Sequence, residues 1–216
     1  MNKKYHFAEF FYNKYITGPL LPLIAKTSIT PNMITSINLI MSFFTFYFAY
    51  EQKFKVVAIM MLFYEFCDNL DGNLARYKNL SSKFGAKLDQ VSDIIFYNLV
   101  FVFLGIKVVD IKLIMLVIFL INFYGIIATY YIGPRLRKLK VIKRSGLKRI
   151  FFDKGIILGM DVGTIDVICS IFLFLNYIRG MYITLIMLLF VDIFYRIIEL
   201  KYNQKINANI INEEVL

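Results

Sequence analysis

The sequence predicts an all-α integral membrane protein, six transmembrane helices preceded by an N-terminal interfacial amphipathic helix. Three observations lead there. The 216 residues are 59% apolar and 19% charged, with a mean hydropathy of +0.63, more apolar than a soluble domain of this size. The apolar residues gather in stretches of about 20, the length that crosses a bilayer as a helix. Lys and Arg concentrate on alternate connections between those stretches, the asymmetry that orients membrane proteins.

Residues 1–30 read as the interfacial segment. Clustered aromatics alternate with Lys3, Lys4, Lys14 and Lys26, and Gly18, Pro19 and Pro22 interrupt the run. It is too broken to span and suits a helix lying on the membrane, with His6 solvated. Lys14 in its apolar part and the lack of a small-residue cleavage site argue against a signal peptide. In "TSITPNMIT", Thr30 can cap a helix whose first residue is Pro31. Spans are expected at about 32–50, 55–77, 84–106, 111–133, 158–177 and 181–200. They form one membrane domain, 31–200, and the polar tail, 201–216, extends or frays the last helix. Tyr50, Tyr130, Tyr131, Tyr177 and Tyr182 suit the interface.

Cys67 and Cys169 both fall in spans, so no disulfide framework is expected. Apart from Lys53, Lys55, Lys107, Lys112 and Arg179, all Lys and Arg fall on one side of the predicted bundle. Both termini and the 68–93 region are therefore expected to be cytoplasmic. The Lys-, Ile- and Asn-rich usage points to a prokaryotic cell (inner) membrane. The net charge of +10 is explained by this topology and by anionic headgroups. No basic/aromatic nucleic-acid motif is present, so nucleic acid is not expected as a partner.

The chemistry lies in "DNLDGNLARYKNLSSKFGAKLDQVSD", residues 68–93. At about 100° per residue, Asp68, Asp71, Gly72 and Ala75 share one helix face, with Arg76 at its edge. Gly85, Asp89 and Asp93, spaced i, i+4, i+8, share a face of the next helix. The short linker makes the two helices antiparallel neighbours, so four carboxylates converge. They cannot all stay ionised without countercharge. A proton relay is one solution, the basis of a transporter or proton-channel alternative. Divalent cations are the other. The all-oxygen set suits Mg²⁺ or Mn²⁺, and two ions can clamp a phosphate-bearing substrate. Gly72, Ala75 and Gly85 leave space on the Asp face, and Arg76 offers a phosphate partner.

The pattern D-x2-D-G-x2-A-R-x8-G-x3-D-x3-D, complete from Asp68 to Asp93, resembles the CDP-alcohol phosphotransferase (CDP-alcohol phosphatidyltransferase) family. The resemblance implies a six-helix membrane enzyme of phospholipid synthesis, usually a homodimer. It transfers a substituted phosphate from a CDP-linked alcohol, foremost CDP-diacylglycerol, to a polar alcohol or alcohol phosphate and releases CMP. By that resemblance Asp68, Asp71 and Asp89 are metal ligands, and Asp93 is the general base that also touches metal. Gly72, Ala75 and Gly85 floor the cytidine site, and Arg76 contacts the diphosphate. Asn32 and Thr35 are further candidates for the nucleotide side, and Arg135 and Arg137 for an acceptor phosphate. A soluble CDP-alcohol donating to a lipid hydroxyl is the alternative.

The N-terminal helix and "TPN" are similar to the phosphatidylinositol-phosphate-synthase-like branch. That branch has an arginine where Met160 stands here, which points away from an inositol-phosphate acceptor. Among the other acids, Asp161 and Asp166 can line the cavity near the fifth span, though Asp161 also fits a helix start, and Asp192 and Glu199 can pair with Arg196 at helical spacing.

Overall fold

The computed structural model describes residues 4–144 and 146–215, with side chains described up to residue 209. The expected N-terminal segment and tail extend beyond those limits at residues 1–3 and 216. A short strand, β1 (Tyr5–His6), leads into α1 (Phe7–Tyr12). A wider π-helical turn (Asn13–Thr17) carries α1 on into α2 (Gly18–Ala25). Then come α3 (Pro31–Tyr50), α4 (Phe54–Tyr77), α5 (Lys83–Gly105) and α6 (Ile111–Ile126). A second π-helical turn (Ile127–Ile132) extends α6 into α7 (Gly133–Arg137). The chain closes with α8 (Gly146–Asp153), β2 (Ile156–Ile157), α9 (Val162–Phe174) and α10 (Ile178–Val215).

Helices stand at all six expected places, and among the described residues four are long and apolar enough to cross a membrane: Pro31–Tyr50, Lys83–Gly105, Ile111–Arg137 and Ile178–Asn209. The other two differ for separate reasons. α4 has the length, 24 residues, but carries Lys55, Glu65, Asp68, Asp71 and Arg76. α9 has only 13 residues, about 20 Å of helix against about 30 Å of hydrocarbon. It starts later than expected because β2 and the cap residue Asp161 occupy 156–161; the Asp161 side chain accepts from Thr164 N–H at 3.1 Å.

The outer faces of the helices are apolar. Ile37, Ile40, Phe44 and Tyr47 on α3, and Ile111, Met115, Phe119 and Ile126 on α6, are exposed. A continuous apolar exterior is what a lipid-embedded protein presents. Inside, Val57, Met61, Phe96, Val100, Leu173 and Leu185 form the buried centre. Both cysteines are free and buried.

Both π-turns arise from the same dipeptide. Pro19 and Pro134 lack an N–H, so the ordinary ladder fails there and the preceding turn widens. Gly18 N–H reaches back to Asn13 O, and Gly133 N–H to Ala128 O. The approach is close enough that a Cβ on Gly18 would lie 2.2 Å from Asn13 O.

The N-terminal segment corrects the reading of His6. Instead of lying solvated on a helix, His6 belongs to β1, which pairs in parallel with β2 through Tyr5↔Ile156 and His6↔Ile157. Its Nδ1 is buried without a hydrogen-bond partner. Burial pushes the imidazole below its ordinary value, with Arg196 acting in the same direction and Asp161, Glu9 and Asp192 opposing. The polar tail continues α10 without a break. Asn203 and Asn207, buried on it, each grip one backbone residue of the basic loop. Asn203 accepts from Lys143 N–H (2.6 Å) and donates to its carbonyl (3.1 Å). Asn207 does the same to Val141 at 3.1 and 2.7 Å.

Candidate active site

The turn between α4 and α5 sets the geometry. Leu80 N–H closes onto Ala75 O at 2.9 Å, Asn79 takes the left-handed conformation that asparagine tolerates, and Ser82 Oγ caps α5 by accepting from Gly85 N–H at 3.0 Å. Lys78 Nζ donates to Thr27 O (2.8 Å) and Ile29 O (2.9 Å), fixing the chain just before α3. Thr30 then caps α3 as expected, accepting from Met33 N–H. The start of α3 is thereby held against the facing ends of α4 and α5.

Asp68, Asp71 and Asp89 come together there. One carboxylate oxygen of each lies within 4.8 Å of the others. Asp71 is 6% exposed and accepts from Thr35 Oγ1 at 2.5 Å. Asp93 stands outside this triple. Its Oδ1 accepts from Tyr64 OH at 2.9 Å, and that hydroxyl also lies 3.1 Å from Ser92 Oγ. Tyr64 is fixed in turn by stacking on Phe96, ring centroids 3.7 Å apart.

Two clefts flank the triple. The first, about 180 Å³, is walled by Asn32, Thr35, Ala75, Gly85 and Ala86. A Cβ on Gly85 would lie 2.8 Å from Asn32 Oδ1, so a side chain there would have to push Asn32 aside. A Cβ on Gly72 would meet only the Arg76 guanidinium, nearest at 3.5 Å, which is ordinary contact. The second cleft, about 230 Å³, is walled by Glu9, Glu65, Asp68, Asn69, Asp161 and Val162. Asp71, Gly72, Arg76 and Asp89 line both. Arg76 Nη2 donates to Asn73 Oδ1 at 2.8 Å.

Arg135 and Arg137 are exposed and line neither cleft. Arg135 lies over the Tyr131 ring, 3.9 Å from its centroid, and donates to Tyr131 O. The basic residues that fold inward are Arg144, paired with Glu199 at 3.4 Å, and Lys148, 3.6 Å from Asp192. Burial pushes Lys148 below its ordinary value, and Asp192 opposes the shift. Asp192 also receives Arg196 Nε at 2.8 Å, the i, i+4 pair expected from the sequence. Tyr64, Glu65 and Glu9 were missed in the sequence reading. The available signal was a single acid in "MMLFYEFC", three residues before Asp68 and so on its face.

The sequence model of the CDP-alcohol phosphatidyltransferase family matches residues 28–191, about three quarters of the chain and the whole of the site except Glu9. The chain belongs to this family. CDP-alcohol phosphatidyltransferases are transferases of substituted phosphate groups, and the family uses divalent metals. The chain is also 32% identical over 95 residues to an uncharacterised protein of Aquifex aeolicus (strain VF5), covering 44% of this chain and 48% of that protein. The chain thus spans about half the length of the curated relative it matches.

Proposed function

We propose that this protein transfers a substituted phosphate from a CDP-linked alcohol, CDP-diacylglycerol foremost, to the hydroxyl of a polar alcohol, with release of CMP. The observation that carries the reading is the Asp68–Asp71–Asp89 triple set against a cleft walled by small residues. Three carboxylates with oxygens within 4.8 Å fit a hard divalent cation such as Mg²⁺ or Mn²⁺. Asp68, Asp71 and Asp89 would hold such ions, two of them in this reading. Bound there, the ions would neutralise the donor's diphosphate and the departing CMP.

The chain's own residues do the rest. Gly72, Ala75 and Gly85, with Asn32 and Thr35, receive the cytidine side. Thr35 also fixes the Asp71 carboxylate. Arg76 meets the diphosphate. The acceptor oxygen forms the new P–O bond as the bridging P–O bond to CMP breaks, and its proton passes to Asp93. Tyr64 orients Asp93 for this. The close approach of Gly85 to Asn32 has no purpose in a proton relay, which favours the enzyme over a transporter. In this reading the chain spans the membrane six times with α4 and α9 included, the N-terminal helix lies at the interface, and termini and site face the cytoplasm. The enzyme acts as a homodimer.

The test is CMP release by purified protein in detergent with Mg²⁺ or Mn²⁺, CDP-diacylglycerol and a panel of alcohols. Alcohol-dependent CMP that disappears with EDTA and in Asp93→Asn supports the reading. Failure of cytidine nucleotides to bind at all defeats it.

A further inference from the structure

The second cleft has a wall that the proposed donor chemistry does not use. Glu65 is 2% exposed. Its Oε1 accepts from Asn69 Nδ2 at 2.6 Å, while Oε2 is buried and has no hydrogen-bond partner. The carboxylate is fitted to this place. A Cβ on Gly163, at the start of α9, would lie 2.2 Å from Glu65 Oε1, and Ala8 of α1 packs against the same point. Glu9 and Asp161 complete the acidic side, and Arg76 is the one cation among the described residues lining the cleft. A buried carboxylate with one oxygen unmatched is costly unless a partner arrives.

We infer that this cleft holds the cationic head of a small amino alcohol, its ammonium facing Glu65, Glu9 and Asp161. The inference rests on the CDP-alcohol reading and names the alcohol class. A metal ion fits less well. Among the described residues lining this cleft, only Asp68, Asp71 and Asp89 form a group with ligand atoms within 4.8 Å of one another; Glu65, Glu9 and Asp161 form no such group. The cleft, about 230 Å³, has room for a small amino alcohol. A phosphorylated alcohol turned toward Glu65, Glu9 and Asp161 would bring two further negative charges against that wall of a cleft lined by six carboxylates, a repulsion that low dielectric strengthens. The amino alcohol can be a free acceptor or the head of a CDP-linked donor; the chemistry recognised is the same.

The experiment measures CMP release in two arms with the full chain. One arm supplies CDP-diacylglycerol with ethanolamine, serine, inositol, glycerol 3-phosphate or inositol phosphate. The other supplies CDP-ethanolamine with diacylglycerol. Binding of cytidine nucleotides with Mg²⁺ is measured separately. Turnover of an amino alcohol in either arm, with its KM raised about tenfold in Glu65→Gln, supports the inference, and the productive arm identifies the source. Glu9→Gln, on a less buried residue, gives the same readout should Glu65→Gln fail to fold. Turnover of phosphorylated or uncharged alcohols instead overturns the inference and leaves the CDP-alcohol reading standing. Nucleotide binding without turnover of any alcohol does the same. Absence of nucleotide binding removes the CDP-alcohol reading and the inference with it.

Discussion

The two clefts share a wall and differ in everything else. Asp71, Gly72, Arg76 and Asp89 face both. On one side the remaining lining is small and neutral, Asn32, Thr35, Ala75 and Gly85, and comes from three helix ends adjacent in sequence. On the other it is acidic, Glu9, Glu65, Asp68 and Asp161, and comes from α1, α4 and the start of α9. One set of carboxylates can therefore serve two partners of opposite character. In the proposed reading the neutral side receives the cytidine. In that reading the acidic side selects by charge, through side chains from helices that meet only in the folded chain.

Substitutions at the shared wall should erase the contrast. Asp89→Asn should lower kcat/KM by about 10²–10³-fold, the loss typical of removing one member of a charge-stabilising site, and should disturb donor and acceptor kinetics together. Gly85→Ala should separate the clefts. Its Cβ must displace Asn32 Oδ1 from 2.8 Å, an overpacking of about 1–3 kcal/mol. The donor KM should rise by about tenfold while the acceptor KM holds; an equal rise in both would mean the clefts are not independent.

Tyr64→Phe touches neither wall. It removes the hydrogen bond to Asp93, about 0.5–1.5 kcal/mol, so kcat should fall a few-fold with both KM values unchanged. The smallest effect concerns the strand beside Glu9. Below its ordinary value of 6.5, His6 takes up a proton in the unfolded chain but not in the folded one, because burial holds its folded value down. Stability should therefore drop as pH falls from 6.5, by at most about 1.4 kcal/mol per pH unit, and this part of the drop should vanish in His6→Asn. Glu9, Asp161 and Asp192 oppose the shift and Arg196 adds to it, so thermal midpoints must be compared between wild type and variant across the same buffers.

The same contrast explains what the sequence reveals. The neutral cleft and the triple were legible because their spacing within residues 68–93 is fixed by helix periodicity and one short turn. The helices were legible from apolar length, except where another element intervened, as β2 and Asp161 do before α9. Glu65 was not recognised because a single acid in an apolar helix has no partner nearby in sequence. Its meaning comes from Gly163 and Ala8, far along the chain in both directions. His6 was misread for a related reason: a strand of two residues leaves no periodic trace. Asn203 and Asn207 are four residues apart and face one loop, yet in sequence they look like ordinary polar tail.

The pairing of β1 with β2 has a consequence for assembly. Tyr5 waits for Ile156, so the closing step joins the N-terminal strand to a segment made after α3 to α6. Closing so long a loop carries an entropic cost that local contacts avoid. The neutral cleft uses only residues from α3 to α5 and can form while later helices are still being synthesised. The acidic cleft must wait until α9 is in place. During biosynthesis the neutral cleft is thus ready before the acidic one, and a chain stopped before Ile156 would carry the first without the second.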